Sequence, residues 1–161
     1  MFIFLLSLAP SLLSREWRYL NHMERILVGI DLTHPVWEAL VRALCLAPRI
    51  QARVAVLAVF APGTADSPEA GEVLREVRER IGAANEAGAF AELFVAEGLY
   101  DQEVIETARQ LKTTLLVAPS LSEGQGGERE AEILGRILQG VECRVELVSP
   151  KKNPKRTKDG L

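Results

Sequence analysis

Five short, nearly continuous apolar runs alternate with four amphipathic segments, and this rhythm constrains the fold more than any other feature of the 161-residue chain. The runs are Arg25–Ile30, Arg53–Phe60, Ala89–Val95, the run opening at Thr114 (Leu115, Leu116, Val117), and Cys143–Val148. Strands of that character are parallel strands covered on both faces. Between them, apolar residues recur at helical spacing: Leu40, Ala43, Leu44 and Ala47, then Val73, Val77 and Ile81, then Val104, Ala108 and Leu111, then Ile133, Leu134 and Ile137. The alternation predicts an α/β domain: an open parallel five-stranded sheet, Rossmann-like, with helices on both faces. Right-handed crossovers leave few arrangements, and strand order 3-2-1-4-5 is expected, counting from Arg25. The switch point then falls between the first and fourth strands. Ligands bind there, beyond the strand C-termini, so Asp31 and the loop after the fourth strand are expected to share one crevice. At the first helix, Thr33 or His34 is expected as N-cap, Pro35 in the first turn and Pro48 at the end.

The domain is expected to span residues 23–148. Residues 149–161 form a basic tail, read as disordered, in which five cations stand against Asp159. The formal charge is −3 overall, so the rest of the chain carries about −7. An acidic body argues against nucleic acid as a partner, because such surfaces need clustered cations. Residues 1–22 form an N-terminal extension that is strongly apolar up to Leu13, shorter than a membrane helix needs. It is read as an early start or an added helix; a membrane anchor is the other reading, and otherwise no membrane contact is expected. Cys45 and Cys143 sit in apolar contexts and are expected as buried free thiols in a reducing cytoplasm.

The chemistry concentrates between Thr114 and Val148. A strand feeding a glycine-rich loop and a helix N-terminus is a common way to hold phosphate, because free backbone N–H groups and the helix dipole converge there. Ser120, Gly124, Gly126 and Gly127 are the candidate ligand contacts in that loop, with Asp31 and Thr33 across the crevice; a flexible loop and a turn-capping carboxylate are the plainer readings. No Ser-His-Asp, Cys-His or HExxH arrangement is present, the two histidines are far apart, and neither a catalytic group nor a metal site is expected.

The ordered segments ILVGIDLT, RVAVLAVF, EGLYDQEVIETARQL, TLLVAPS and CRVELV resemble the universal stress protein family from about Met23 to Val148. Asp31 and Thr33 match the acid and hydroxyl after the family's first strand; Gly98, Ile105, Ala108 and Cys143 match further on. Nucleotide-binding members are similar in carrying a glycine, two residues, a glycine, nine residues, then glycine and serine or threonine. Placed here without gaps, the pattern falls on Ala118, Leu121, Ala131 and Glu132, so every member is replaced; Leu32 replaces a further family glycine. Gly124 alone matches a family glycine. The β-carbons at Ala118 and Leu121 obstruct close approach of phosphate to the backbone, and Glu132 sets a carboxylate where the family offers a hydroxyl. Tight ATP binding in the family manner is therefore not expected, and no cofactor is assigned. ATP or AMP bound through Asp31 and the Gly124–Gly127 loop, with weak hydrolysis, is the alternative.

In the last strand, Val145 and Leu147 alternate with Arg144 and Glu146. Antiparallel pairing of residues 144–148, ending at Val148, with a second copy would set Arg144 beside the other Glu146. The resemblance also implies dimers through this strand. The resulting expectation is a cytoplasmic, non-enzymatic, dimeric module of stress physiology with an unidentified protein partner; docking on a membrane transporter is a third reading.

Overall fold

The computed structural model describes residues 3–5, 23–120 and 127–149. Ten elements follow in order: β1 (Ile3–Leu5), β2 (Arg25–Asp31), α1 (Trp37–Ile50), β3 (Arg53–Phe60), α2 (Pro68–Glu86), β4 (Phe90–Glu97), α3 (Tyr100–Gln110), β5 (Leu115–Pro119), α4 (Glu128–Gly140) and β6 (Arg144–Val148). They build one sheet in the order β1-β4-β3-β2-β5-β6. The five strands from Arg25 onward are parallel and lie in the expected order 3-2-1-4-5.

β1 is an addition. It pairs antiparallel with β4, Ile3 opposite Ala96 and Leu5 opposite Phe94. Where the sequence suggested an extra helix for the N-terminal extension, these three residues form an edge strand, supplying backbone partners to a strand that otherwise has one neighbour. The tail from residue 150 lies outside the described residues.

Both sheet faces are covered. Ile26, Val28 and Ile30 meet Leu40, Ala43 and Ala47 of α1, while Leu74, Val77 and Ile81 of α2 close the same layer. On the other face Leu27, Leu57 and Phe94 meet Val104 and Ala108 of α3 and Ile137 of α4. Leu40, Val54 and Val77 are wholly enclosed, and truncating such a leucine to alanine costs roughly 2–5 kcal/mol. No helix among the described residues is long and apolar enough to cross a membrane.

Three local expectations are corrected. The N-cap of α1 is Val36, without a side-chain bond, rather than Thr33 or His34; Thr33 instead donates its N–H to Asp31. Pro48 lies inside α1 rather than ending it. The helix closes three residues later at Gln51, in the left-handed region at φ 54°, where the Gln51 and Ala52 N–H groups both donate to the Ala47 carbonyl. Cys45 is exposed, one position off the buried stripe of Leu40, Ala43, Leu44 and Ala47, and Cys143 is half-buried.

Candidate functional site

The crevice opens where two central strands part. β2 and β5 pair only up to Val28 and Val117. Just past that point the Gly29 carbonyl accepts a hydrogen bond from the Tyr100 hydroxyl at 3.0 Å. A β-carbon at Gly29 would lie 2.8 Å from Cγ2 of Val104 and 2.9 Å from that hydroxyl oxygen, so the missing side chain lets the start of α3 approach the strand. Burial, reinforced by the charge of Asp31, pushes the Tyr100 phenol well above its ordinary pKa. It is therefore a neutral donor.

Asp31 ends β2 and accepts the Thr33 N–H at 2.8 Å, a turn of the kind that aspartate favours. Around it lie two lobes of one crevice, about 380 and 450 Å³, which share Asp31, Ala61, Tyr100, Arg129 and Ile133. One lobe runs between the starts of α3 and α4, past Val59, Gly98, Leu99, Asp101, Glu132 and Arg136. The other runs toward Thr33, Pro119 and Glu130. Asp31 and Thr33 thus face the first turns of α4 across the gap between β2 and β5.

The loop residues fare differently. Ser120 donates its N–H to the Val148 carbonyl at 2.8 Å and its hydroxyl lies 3.2 Å from that of Ser149, so it ties β5 to the end of β6 and lines neither lobe. Gly127 is the N-cap of α4, its carbonyl accepting from the N–H groups of Glu130 and Ala131, and it too lines neither lobe. Gly124 and Gly126 lie outside the described residues, as does Leu121. Ala118 is buried in the layer under α3 and α4, and Glu132 lies at the crevice wall, 3.6 Å from Arg136.

Tyr100, Arg129 and Arg136 are the contributors that sequence reasoning missed. Arg136 also pairs with the buried Asp101 at 3.5 Å. Among the described residues, the crevice carboxylates are Asp31, Asp101, Glu130 and Glu132, against the guanidinium groups of Arg129 and Arg136. Four negative charges to two positive give these lining residues a net charge of about −2. Behind its wall, Glu103 is 3% exposed and its Oε2 has no partner among the described residues. Burial pushes its pKa up, with Glu106 adding to the rise.

At the far edge of the sheet, the charged residues of β6 are engaged within the chain: Arg144 pairs with Glu24 at 2.5 Å and Glu146 with Arg42 at 2.5 Å. Val145 packs on the layer under α3 and α4, Val148 on the layer under α1, and Leu147 is 45% exposed.

No protein-family model matches the chain, and no curated protein does. Solved structures do match its fold. The universal stress protein UspA from Lactobacillus plantarum aligns at a TM-score of 0.63 and 18% identity, over 80% of this chain and 99% of the other. A universal stress protein in complex with cAMP aligns at 0.61 and 21%, over 80% and 98%. One from Archaeoglobus fulgidus in complex with dAMP aligns at 0.57 and 14%, over 78% and 97%. The chain has the universal stress protein fold.

Proposed function

With that fold as premise, we propose that the chain is a cytoplasmic, non-enzymatic regulatory module of stress physiology whose crevice takes a nucleoside or nucleoside monophosphate and refuses ATP. The observation that carries this reading is the charge of the cleft, four carboxylates against two guanidinium groups. Two unit charges ~4 Å apart repel by roughly 1 to 4 kcal/mol at effective dielectrics of about 80 to 20. A triphosphate multiplies that cost, whereas one phosphate can be met by Arg129 and Arg136. Ala118 adds a β-carbon where the resemblance places a phosphate-approaching glycine. The nucleoside end of the site is better preserved: Asp31 offers an acceptor for a ribose hydroxyl, beside an apolar wall of Val59, Leu99 and Tyr100. Two of the neighbours were solved in complex with cAMP and dAMP, each a ligand with a single phosphate.

The module acts as a dimer through β6, whose outer edge carries the exposed Leu147. Calorimetry with adenosine, AMP, cAMP and ATP, with and without magnesium, tests the ligand class. AMP or cAMP should bind more tightly than ATP, and Asp31→Ala should remove that binding. ATP binding at micromolar Kd, tighter than AMP, would overturn the proposal.

A further inference from the structure

A second cavity lies at the end of the sheet opposite the crevice, where β2, β5 and β6 begin. It encloses about 420 Å³ beside the C-terminal ends of α3 and α4, a volume within the range of small-ligand sites. Gly140 shapes it: a β-carbon there would lie 2.5 Å from Cδ1 of Ile105, so the two helix ends close tightly and Ile105, Ala108 and Val141 give the cavity an apolar surface. Its charged lining is Arg25, Arg109 and Lys112, against Glu142 alone. Three positive charges to one negative give these residues about +2, in a body of about −7 and far from a crevice whose lining carries about −2.

Arg25 and Lys112 are held together by backbone bonds. The Arg25 N–H donates to the Thr114 hydroxyl at 2.8 Å, and its guanidinium Nε donates to the Lys112 carbonyl at 2.7 Å. The N–H groups of Leu111, Lys112 and Thr113 turn back onto the carbonyls of Thr107, Arg109 and Ala108. The last carbonyls of α3 are thus occupied, and less of the negative end of its dipole meets the cavity. Arg109 is paired with Glu106 along the helix, whereas Lys112 forms no ion pair among the described residues. Burial pushes the pKa of the Cys143 thiol up, so this half-buried lining residue adds no negative charge at neutral pH.

We propose that this cavity binds a small organic phosphate monoester, its phosphate met by Arg25 and Lys112 and its apolar body lying on Ile105, Ala108 and Val141. Fixed cations in a concave wall focus the field on a dianion, and charge-assisted bonds to phosphate are the strong ones. The acidic body repels anions elsewhere, so the ligand is drawn to this end of the sheet. The apolar surface favours an organic ester over inorganic phosphate, which has nothing to bury there. The site shares no lining residue with the crevice and does not rest on the ligand proposed for it.

Cys143 lines the cavity and reports on it directly, in the full chain with Cys45→Ser so that one thiol remains. Phenyl phosphate at millimolar concentration should slow modification of Cys143 by dithiodipyridine, a neutral reagent, saturably and by at least about threefold. Inorganic phosphate should protect less. Lys112→Asn removes a charge and suits the left-handed backbone at φ 50°; it should weaken the protection at least about fivefold. Arg78→Gln, which removes an exposed charge from α2, should not. Protection that is absent, that inorganic phosphate matches, or that survives Lys112→Asn undiminished would overturn the proposal. Reagent charge gives an independent answer. Lys112→Asn should slow the anionic dithionitrobenzoate at least about threefold more than the neutral reagent, and an unchanged ratio of the two rates would count against the site.

Discussion

The Tyr100 hydroxyl donates to the Gly29 carbonyl at 3.0 Å, a bond between the first residue of α3 and the strand position just past the last pairing of β2 with β5. It holds the start of α3 against β2 at the point where the sheet ladder stops. Tyr100→Phe should cost about 1 kcal/mol in stability. Gly29→Ala should cost about 1–3 kcal/mol, because its β-carbon must displace Val104 and the phenol. Denaturant midpoints of the two variants check both values.

The same phenol makes stability fall at alkaline pH. Its folded pKa lies above the ordinary 10.0, so its contribution is complete below that pH and is lost as the pH rises toward the folded value. Tyr100→Phe should flatten the alkaline limb of the stability curve. The chain has two tyrosines, and absorbance titration of the native protein should show Tyr100 resisting ionisation until the fold opens.

Glu103 is a second buried acid with a raised folded pKa. It favours the fold below its ordinary 4.5 and costs stability as the pH rises through the folded value. Glu103→Gln should therefore stabilise the protein at pH 7 by about 1 kcal/mol, with the gain vanishing near pH 4. Thermal unfolding at the two pH values gives the comparison; an equal gain at both would show that burial of charge is not the cause.

If the crevice refuses ATP because of its carboxylates, removing one should relax the refusal. Glu132→Ser is expected to tighten AMP binding about tenfold, equivalent to about 1.4 kcal/mol, within the range for a charge pair near a surface. Calorimetry on the variant reads this directly, and unchanged AMP affinity would argue that backbone obstruction at Ala118, rather than charge, limits the site.

At the opposite end of the sheet, the Thr114 hydroxyl bonds Glu24 at 2.5 Å and Arg144 pairs with the same carboxylate. The Thr114 bond leads in holding the Glu24 pKa below its ordinary 4.5, with Arg144 and Arg25 assisting. That contribution is present above pH 4.5 and lost as the pH falls through the lowered value; being partly exposed, it is worth less than about 1 kcal/mol. Thr114→Val should soften the acid limb accordingly. Because Arg144 serves this network, Arg144→Glu perturbs the fold as well as the proposed pairing through β6, whereas Leu147→Lys leaves the network intact. Both variants should sediment with weaker self-association, and unchanged association of Leu147→Lys would count against pairing through β6.

The fold was legible because its signals are local. Leu40, Ala43 and Ala47 share a helical face whatever surrounds them, and the apolar runs from Arg25 and Arg53 read as strands by composition. The place of Asp31 at the crevice was legible because it ends such a run at the switch point. The bonds of Ser120 were not legible for the opposite reason: its neighbours are loop-like, but its bonds go to Val148 and Ser149, decided by the docking of β6. Cys45 misled in the same way, since an apolar neighbourhood in sequence does not say which side of a helix a residue occupies.

The sequence by itself determined the alternation of strand and helix and the end of the first central strand at Asp31. Each depends on residue type and short spacing. The tertiary structure alone decided that Tyr100 reaches Gly29 across 71 residues, that Arg129 and Arg136 line the same crevice as Asp31, and that Ile3–Leu5 pairs with β4. Those relationships arise where crossover helices pack back onto the sheet, and packing is set by the whole core rather than by any segment's own pattern.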